Sequence, residues 1–365
     1  MNIAVLTSSR ADYGIYLPLL KKLQKDNFFD LHLIAFGTHL SEKFGHTIDQ
    51  IAADGFTVKH RIETLPEGDR PEDISKAMGK TIEKFSRLWA TEKSHFDLIL
   101  CLGDRYEMFA AVSASVPFAI PVAHLHGGET TLGAIDNAFR HSITCMSKIH
   151  FASTALHAAR VEQITASAAA VYNVGALSLD NLHEIELLDV KGFQEKFGIH
   201  LENPVLVTFH PETVEYEKNQ YYVTELIAAL DTLDQQIIIT MPNADTMGDV
   251  IRNEFITFAG RKSNVFTVES LGTQGYFFCL LHCAFVLGNS SSGIIEAASF
   301  GKYVVDLGKR QAGREAGENI IHTEIKKEKI LDAINQIKTL PALTKKNIYG
   351  DGKTADRIIE LLKKA

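Results

Sequence analysis

The clearest indication of the fold class lies in the segment Leu98-Ile99-Leu100-Cys101-Leu102-Gly103-Asp104-Arg105-Tyr106-Glu107. Five consecutive apolar residues are typical of a strand that is buried on both faces, as in a parallel sheet. The glycine and the polar residues after them indicate a turn at the carboxyl end of that strand. Ligands of open parallel sheets bind beyond this end. The segment therefore predicts a parallel sheet and a candidate site at its edge.

The same alternation of apolar runs and amphipathic segments continues in both directions. It predicts further strands at Ile3–Thr7, Leu31–Phe36 and Pro121–His124, and a second series at Val205–Phe209, Ile237–Thr240, Val265–Val268, Cys283–Leu287 and Tyr303–Leu307. The 3.6-residue apolar period predicts helices at Tyr16–Lys25, Pro71–Thr91 and Thr354–Lys364. Two such series predict an α/β protein with two Rossmann-like, doubly wound domains.

The polar stretch around Leu177–Pro204 separates the two series. We therefore expect one domain over residues 1–175 and a second over residues 176–365, with the C-terminal helix packing back on the first domain. The length of 365 residues fits two domains of about 150 residues each.

Composition excludes several classes of protein. With 45% apolar and 22% charged residues the chain has the average globular mix, so a disordered or fibrous protein is excluded. A net charge of -8 argues against a nucleic-acid partner. The most apolar stretch, Ala110–Leu125, contains Pro117 and Pro121 and is shorter than the roughly 20 residues of a membrane span. Without a basic, apolar leader, a cytoplasmic protein with no membrane partner is expected.

Cysteine spacing predicts no zinc site or disulfide framework. Only two of the four cysteines are close in sequence, and they are not followed by a matching histidine pair. We expect reduced thiols at all four positions, which are Cys101, Cys145, Cys279 and Cys283.

The turn after the first predicted strand reads Ser9-Arg10-Ala11-Asp12-Tyr13-Gly14. Small residues and an arginine at a strand-to-helix turn favour an anion held by backbone N–H groups and by Arg10. An ordinary turn is the alternative. The glycine pattern of dinucleotide-binding folds is absent, so no nicotinamide cofactor is expected. After the strand predicted at Leu98–Leu102, Asp104 is either a site carboxylate or a helix N-cap, and Arg105 either holds phosphate or pairs with an acid.

The densest group of ionisable residues follows the next strand, in His124-Leu125-His126-Gly127-Gly128-Glu129-Thr130-Thr131-Leu132-Gly133-Ala134-Ile135-Asp136. A metal site is disfavoured because no third ligand lies at a characteristic spacing from His124 and His126. Carboxylates beside imidazoles suit the removal and return of a proton. We therefore predict that His126, Glu129 and Asp136 take part in proton transfer.

Polar turns also follow the strands of the second series. They contain His210, Asn243 and the segment Gly288-Asn289-Ser290-Ser291-Ser292-Gly293, which opens a helix predicted at Ile294–Phe300. Small residues and hydroxyls before a helix favour phosphate binding, and Glu296 is placed to accept hydrogen bonds from ribose. A serine-rich N-cap is the alternative. The turn Gly308-Lys309-Arg310 adds a further cation.

In this order, these motifs resemble the hydrolysing UDP-N-acetylglucosamine 2-epimerases of sialic acid biosynthesis, especially the bacterial NeuC-type enzymes. The motifs include Arg140-His141-Ser142-Ile143-Thr144, Phe209-His210-Pro211-Glu212-Thr213 and Asn243-Ala244-Asp245. The resemblance implies the glycosyltransferase-B architecture, with two domains facing a cleft. It also implies a homodimer or homotetramer, no cofactor and no metal.

The resemblance also implies the reaction and the site. UDP leaves UDP-N-acetylglucosamine by anti elimination, and syn addition of water to 2-acetamidoglucal gives N-acetylmannosamine. Asp104 and Asp136 match catalytic carboxylates. The residues that match the UDP-sugar contacts, or lie within the matching motifs, are Arg10, Arg105, His210, Asn243, Ser290, Ser291, Gly293, Glu296 and Arg310.

One position departs from the pattern of many relatives. They have His-Ile-Glu-Gly-Gly-Glu, whereas this chain has His126 at the place of the first glutamate. Either His126 or Glu129 is expected to do the work of that carboxylate. The alternatives are a hydrolysing 2-epimerase of UDP-2,4-diacetamido-2,4,6-trideoxyglucose in legionaminic acid biosynthesis, a non-hydrolysing epimerase, a glycosyltransferase and a nucleotide-sugar sensor without activity.

Overall fold

The computed structural model describes residues 1–65, 68–242 and 247–364. These residues form two compact units. The first comprises the described residues of Met1–Glu129, Asp136–Glu184 and Tyr349–Ala365, and the second those of Thr130–Ile135 and Ile185–Ile348. The first unit thus extends beyond residue 175 and includes the C-terminal helix, and one short segment of the N-terminal half belongs to the second unit.

The first unit is built on a parallel sheet. Its strands are β1 (Asn2–Thr7), β2 (Asp30–Phe36), β3 (Val58–Ile62), β4 (Leu98–Leu102), β5 (Val122–Leu125), β6 (Ile149–Ala152) and β7 (Val171–Asn173). Their order is β3-β2-β1-β4-β5-β6-β7, that of a Rossmann-like sheet. Alternate residues of β1 belong to two apolar clusters, with Ile3 and Val5 in one and Ala4 and Leu6 in the other. Helices therefore cover both faces of the sheet.

The second unit repeats this plan. Its strands are β8 (Val205–Thr208), β9 (Ile237–Thr240), β10 (Val265–Val268), β11 (Phe285–Gly288), β12 (Val304–Leu307) and β13 (Ile320–Thr323). They form a parallel sheet in the order β10-β9-β8-β11-β12-β13. The prediction of two doubly wound α/β units is confirmed.

Helices alternate with these strands along the described chain. They are α1 (Arg10–Lys25), α2 (Ile48–Ala53), α3 (Pro71–Glu92), α4 (Tyr106–Ser115), α5 (Asp136–Met146), α6 (Ala155–Thr165), α7 (Asn181–Glu184), α8 (Val190–Phe197), α9 (Asn219–Leu230), α10 (Gly248–Gly260), α11 (Gly272–His282), α12 (Ser291–Ile295), α13 (Lys327–Ile337) and α14 (Thr354–Leu362). None of the helices in the described part of the chain is long and apolar enough to cross a lipid bilayer.

The C-terminal helix α14 is anchored in the first unit. Its residues Ala355, Ile358 and Leu362 are fully buried in the same apolar cluster as β1. The Asp180 carboxylate accepts hydrogen bonds from the backbone N–H groups of Thr354 and Ala355, at 2.9 and 2.6 Å. An acidic cap at a helix N-terminus satisfies unpaired donors and favours the helix dipole.

Two helices differ from the prediction. Helix α1 begins at Arg10 instead of Tyr16, because Ser9 and Asp12 form a capping box at its start. The helix predicted at Ile294–Phe300 is instead the short α12, which begins at Ser291, followed by a 3-10 turn at Ala297–Phe300. Gly301, with φ of 66°, ends this turn in the left-handed conformation.

Candidate active site

A tight turn follows β5 in the first unit. His126 has a φ of 64° and Gly128 a φ of 77°, and the His126 N–H donates to the Phe151 carbonyl at 2.9 Å. A Cβ on Gly128 would lie 2.2 Å from the carbonyl oxygen of His157. Only glycine therefore allows this turn to pack against α6. The turn brings Glu129 back beside His126.

Glu129 lies at the centre of a buried polar cluster and is 1% exposed. Its Oε1 is 2.7 Å from Nδ1 of His126 and accepts a hydrogen bond from the Ser153 hydroxyl at 2.7 Å. Its Oε2 accepts a hydrogen bond from Nη1 of Arg140 at 2.8 Å. The Ser153 hydroxyl oxygen is also 2.9 Å from Nδ1 of His157. Glu129 thus contacts His126 and Arg140 directly, and Ser153 links it to His157.

Arg140 extends the cluster to Asp104. Its guanidinium is 2% exposed and donates to Asp104 through Nη2, while Asp104 keeps 22% of its side chain exposed. Arg140 belongs to α5, one turn after Asp136, which is the first residue of that helix. Residues four apart lie on the same side of a helix. The structure therefore joins three of the four predicted catalytic residues, Asp104, His126 and Glu129, and Asp136 is carried by the helix that supplies Arg140.

His124 has a structural role behind this cluster. Its ring is fully buried, and Nε2 donates to the Gly103 carbonyl at 2.8 Å. Burial lowers the pKa of His124 to about 3, so the ring is neutral near pH 7. His124 thereby fixes the backbone directly before Asp104. Within the described ranges no group of three or more His, Cys, Asp or Glu side chains is placed to hold a metal ion.

The turn between β1 and α1 is held by Asp12. Its carboxylate accepts hydrogen bonds from the Thr7 hydroxyl (2.5 Å), from the Ser8 N–H (2.9 Å) and from the Ser8 hydroxyl (2.7 Å). Burial raises the pKa of Asp12, but His39 and these donors outweigh it and hold the pKa below its usual value. Arg10 follows this turn as the first residue of α1. Arg105 lies at the edge of β4, where it pairs with the buried Glu107 at 3.0 Å.

In the second unit Asn289 organises the edge of β11. Its Oδ1 accepts the His210 N–H at 2.7 Å, and its Nδ2 donates to the His210 carbonyl at 2.9 Å. Gly288 has a φ of 145°, and a Cβ there would lie 2.0 Å from the Thr208 carbonyl oxygen. The structure therefore brings His210 next to the serine turn.

The serine turn itself opens α12. Ser290 is the N-cap, and its hydroxyl accepts from the Ser292 N–H at 3.4 Å. Ser291 is the first residue of α12, and Ser292 contacts the hydroxyl of the partly buried Tyr276. A Cβ on Gly293 would lie 3.1 Å from Val304, so this glycine allows close packing on β12. Glu296, 6% exposed, follows α12.

Arg310 lies at the end of β12 in the same unit. Its Nη1 donates to the Pro211 carbonyl at 2.6 Å, and Glu212 accepts the Lys309 N–H at 2.5 Å. Burial raises the pKa of Glu212. The buried carboxylate thus fixes the turn that carries Arg310. Asn243, the remaining predicted contact, lies outside the described residues.

Several residues of these clusters were missing from the predicted site. Arg140, Asn289 and Glu212 were part of quoted motifs but had no assigned role, whereas Ser153 and Tyr276 carried no signal in the sequence. The spacing of Asp136 and Arg140 by one helical turn was the one available indication that Arg140 faces the carboxylates.

Comparison with known proteins identifies similar chains over the full length. A family model described as UDP-N-acetylglucosamine 2-epimerase matches residues 21–363. The chain is 33% identical over 363 residues to the UDP-N,N'-diacetylbacillosamine 2-epimerase (hydrolyzing) of Legionella pneumophila, covering 99% of this chain and 95% of the relative. It is 31% identical over 336 residues to the polysialic acid biosynthesis protein P7 of Escherichia coli, covering 92% and 85%.

A solved structure shares the fold. The UDP-GlcNAc 2-epimerase from Neisseria meningitidis, in its crystal structure bound to UDP-GlcNAc, superposes with a TM-score of 0.83 at 18% identity, covering 100% of both chains. This likeness confirms the predicted glycosyltransferase-B-like fold.

Proposed function

This chain belongs to the UDP-N-acetylglucosamine 2-epimerase family, and from that premise we propose that it hydrolyses UDP-N-acetylglucosamine to N-acetylmannosamine and UDP. UDP leaves by anti elimination, and water then adds to 2-acetamidoglucal. The name of the Legionella relative supports the hydrolytic outcome. The name of the Escherichia coli relative supports a role in sialic acid biosynthesis.

The stereochemistry of this reaction sets the demand on the protein. Because the configuration at C2 is inverted, the proton leaves one face of the sugar ring and returns to the other. Two proton-transfer groups are therefore needed, each worth about 10²–10⁴ in rate. The observation that carries the proposal is the buried cluster in which Arg140 joins Asp104 to Glu129 and His126. With Asp136, this cluster offers groups for both transfers.

The reaction also requires stabilisation of the departing UDP, and we assign this role to the serine turn and to the turn that carries Arg310. Ser290, Ser291 and Arg310 would contact the diphosphate, and Glu296 the ribose. Hydrogen-bond donors placed where charge develops on a leaving group are a large contribution to catalysis. The remaining assigned contacts to the UDP-sugar are Arg10, Arg105, His210, Asn243 and Gly293.

A second candidate keeps the chemistry and changes the sugar. The Legionella relative is named for UDP-N,N'-diacetylbacillosamine, the diacetamido-trideoxy sugar considered above. This substrate differs at C4 and C6, away from the reacting C1 and C2 atoms. The same proton-transfer groups would serve both substrates.

Incubation with each nucleotide sugar, followed by mass spectrometry and NMR of the products, tests the proposal. We expect free UDP and a free 2-epimerised sugar. A product that keeps its UDP would indicate the non-hydrolysing reaction. Turnover only in the presence of a sugar acceptor would indicate a glycosyltransferase, and UDP binding without turnover would indicate a sensor. Each of these three results would contradict the proposal.

Asp104→Asn should lower turnover more than tenfold while UDP affinity is retained. Asp97→Asn is the matched control, because Asp97 lies at the opposite end of β4, where it is exposed and accepts the Asn2 N–H. Turnover of the Asp104 variant within a factor of ten of the wild type would remove Asp104 from the mechanism.

A further inference from the structure

The hydrogen bonds of Glu129 argue against a direct role in proton transfer. Three side chains of the first unit, His126, Ser153 and Arg140, already contact its two carboxylate oxygens at 2.7–2.8 Å. The group is 1% exposed. A C–H proton offers little attraction compared with these donors, and a carboxylate that turned towards it would give up hydrogen bonds from a buried arginine and a buried histidine.

The partner of Nδ1 decides the state of the His126 ring. A carboxylate oxygen accepts hydrogen bonds, so Nδ1 carries the proton and donates it to Glu129. In the neutral form of the ring, Nε2 is then the nitrogen with the free lone pair. Carboxylate–imidazole pairs of this kind fix a tautomer and stabilise the imidazolium that forms when the other nitrogen takes a proton.

Nε2 of His126 is a buried polar atom without a hydrogen-bond partner among residues 1–65, 68–242 and 247–364. The side chain is 7% exposed. A buried nitrogen without a partner costs about 1–3 kcal/mol. Such an atom in a native protein calls for an explanation, and a catalytic role is one of the recognised explanations.

The backbone of His126 adds a second cost. Its φ of 64° places a residue with a Cβ in the left-handed region, which costs roughly 1–2 kcal/mol. The hydrogen bond from its N–H to the Phe151 carbonyl, at 2.9 Å, holds it there. Strain of this kind concentrates at functional sites, where the surrounding structure fixes it. The strain and the unsatisfied nitrogen fall on the same residue.

We propose that, within the reaction proposed above, Nε2 of His126 is the base that removes the C2 proton. The C2–H bond breaks and the proton moves to Nε2. The electron pair of that bond forms the C1=C2 bond, and the C1–O bond breaks with its electrons leaving on UDP. Glu129 is a positioning residue that holds the ring, and Arg140 and Ser153 hold Glu129. The inference rests on the proposed function, and it assigns the role of base to His126 and not to Glu129.

A double-mutant cycle tests the two roles. The variants are His126→Asn, Glu129→Gln and the pair together, and asparagine is chosen because it tolerates the left-handed conformation better than most residues. UDP release is measured in a single turnover, with substrate carrying hydrogen or deuterium at C2. We expect each single variant to lower the rate by about 10²-fold or more, with UDP affinity unchanged. Because Glu129 acts through His126, the double variant should be no slower than His126→Asn.

His150→Asn is the matched control, since His150 is a buried histidine on β6 opposite His124. It should retain wild-type UDP release. Retained UDP binding and an unchanged unfolding midpoint verify that each variant is folded. If His126→Asn fails this check, His126→Gln replaces it in the cycle.

Two results would overturn the inference. A further 10²-fold loss when Glu129→Gln is added to His126→Asn would make Glu129 an independent catalyst. An isotope effect and rate of His126→Asn equal to those of the wild type would place the base elsewhere. Failure of the proposed function is distinct, because the wild-type protein would then release no UDP from either nucleotide sugar.

Discussion

Replacing Arg140 with methionine should destabilise the first unit by about 3 kcal/mol. Arg140 is 2% exposed and contacts Glu129, which is 1% exposed, and Asp104, which is 22% exposed. Removing one partner of a buried ion pair costs about 3–5 kcal/mol, because the remaining charge stays buried without compensation. Water can solvate Asp104 in part, so the lower end of this range applies. Methionine keeps most of the apolar stem, so little packing is lost.

Urea denaturation followed by tryptophan fluorescence measures this loss. The chain has one tryptophan, Trp89, which is fully buried in the first unit. Arg87→Met in the same unit is the matched control, because Arg87 pairs with Glu83 on the exposed surface of α3 at 2.5 Å. An exposed pair contributes about 0.3–0.5 kcal/mol. The reasoning is refuted if Arg140→Met costs less than about 1 kcal/mol or no more than the control.

Two further predictions concern the second unit. Gly288→Ala should lower the free energy of unfolding by about 2 kcal/mol more than Gly301→Ala. A Cβ at Gly288 would lie 2.0 Å from the Thr208 carbonyl oxygen, whereas the nearest atom to a Cβ at Gly301 is 3.5 Å away. Urea denaturation followed by circular dichroism measures both losses, and equal losses would contradict the packing argument. The hydrogen bond to Asp306 raises the pKa of His322 in the folded protein. The protonated ring therefore stabilises the folded state fully below about pH 6.5, and this stabilisation is lost as the pH rises through the pKa of the folded protein. His322→Gln should therefore destabilise the protein more at pH 6 than at pH 8.5, and an equal effect at both pH values would rule out this linkage.

The sequence predicted the central strands and the edge strand β10 well but missed the outer strands β3, β6, β7 and β13. Central strands such as β4 are buried on both faces, and their apolar runs are unmistakable. The edge strands β3 and β13 are only partly buried, and β3 alternates charged and apolar residues in Val58-Lys59-His60-Arg61-Ile62. In β6 the buried His150 interrupts the apolar run. Tertiary packing, which a local pattern does not contain, stabilises these strands.

The candidate site shows the same limit. Motifs after strands placed Asp104, His126 and Glu129 at one sheet edge, because parallel strands end together. Their partners come from further along the chain, with Arg140 36 residues from Asp104 and Ser153 24 residues from Glu129. Only the fold decides which cation faces which carboxylate. For that reason the sequence left the choice between His126 and Glu129 open.

The charge balance of the buried cluster explains why a histidine fits at position 126. One arginine, Arg140, compensates the two carboxylates of Asp104 and Glu129. A glutamate at position 126 would add a third carboxylate within about 3 Å of Glu129, and like charges at that distance cannot both ionise without a large cost. One of them would have to keep a proton, which weakens it as a base. An imidazole in its neutral form adds no negative charge and can donate through Nδ1 to Glu129. The histidine and the glutamate three residues later therefore work as a pair, and a change at one position alters the demand on the other.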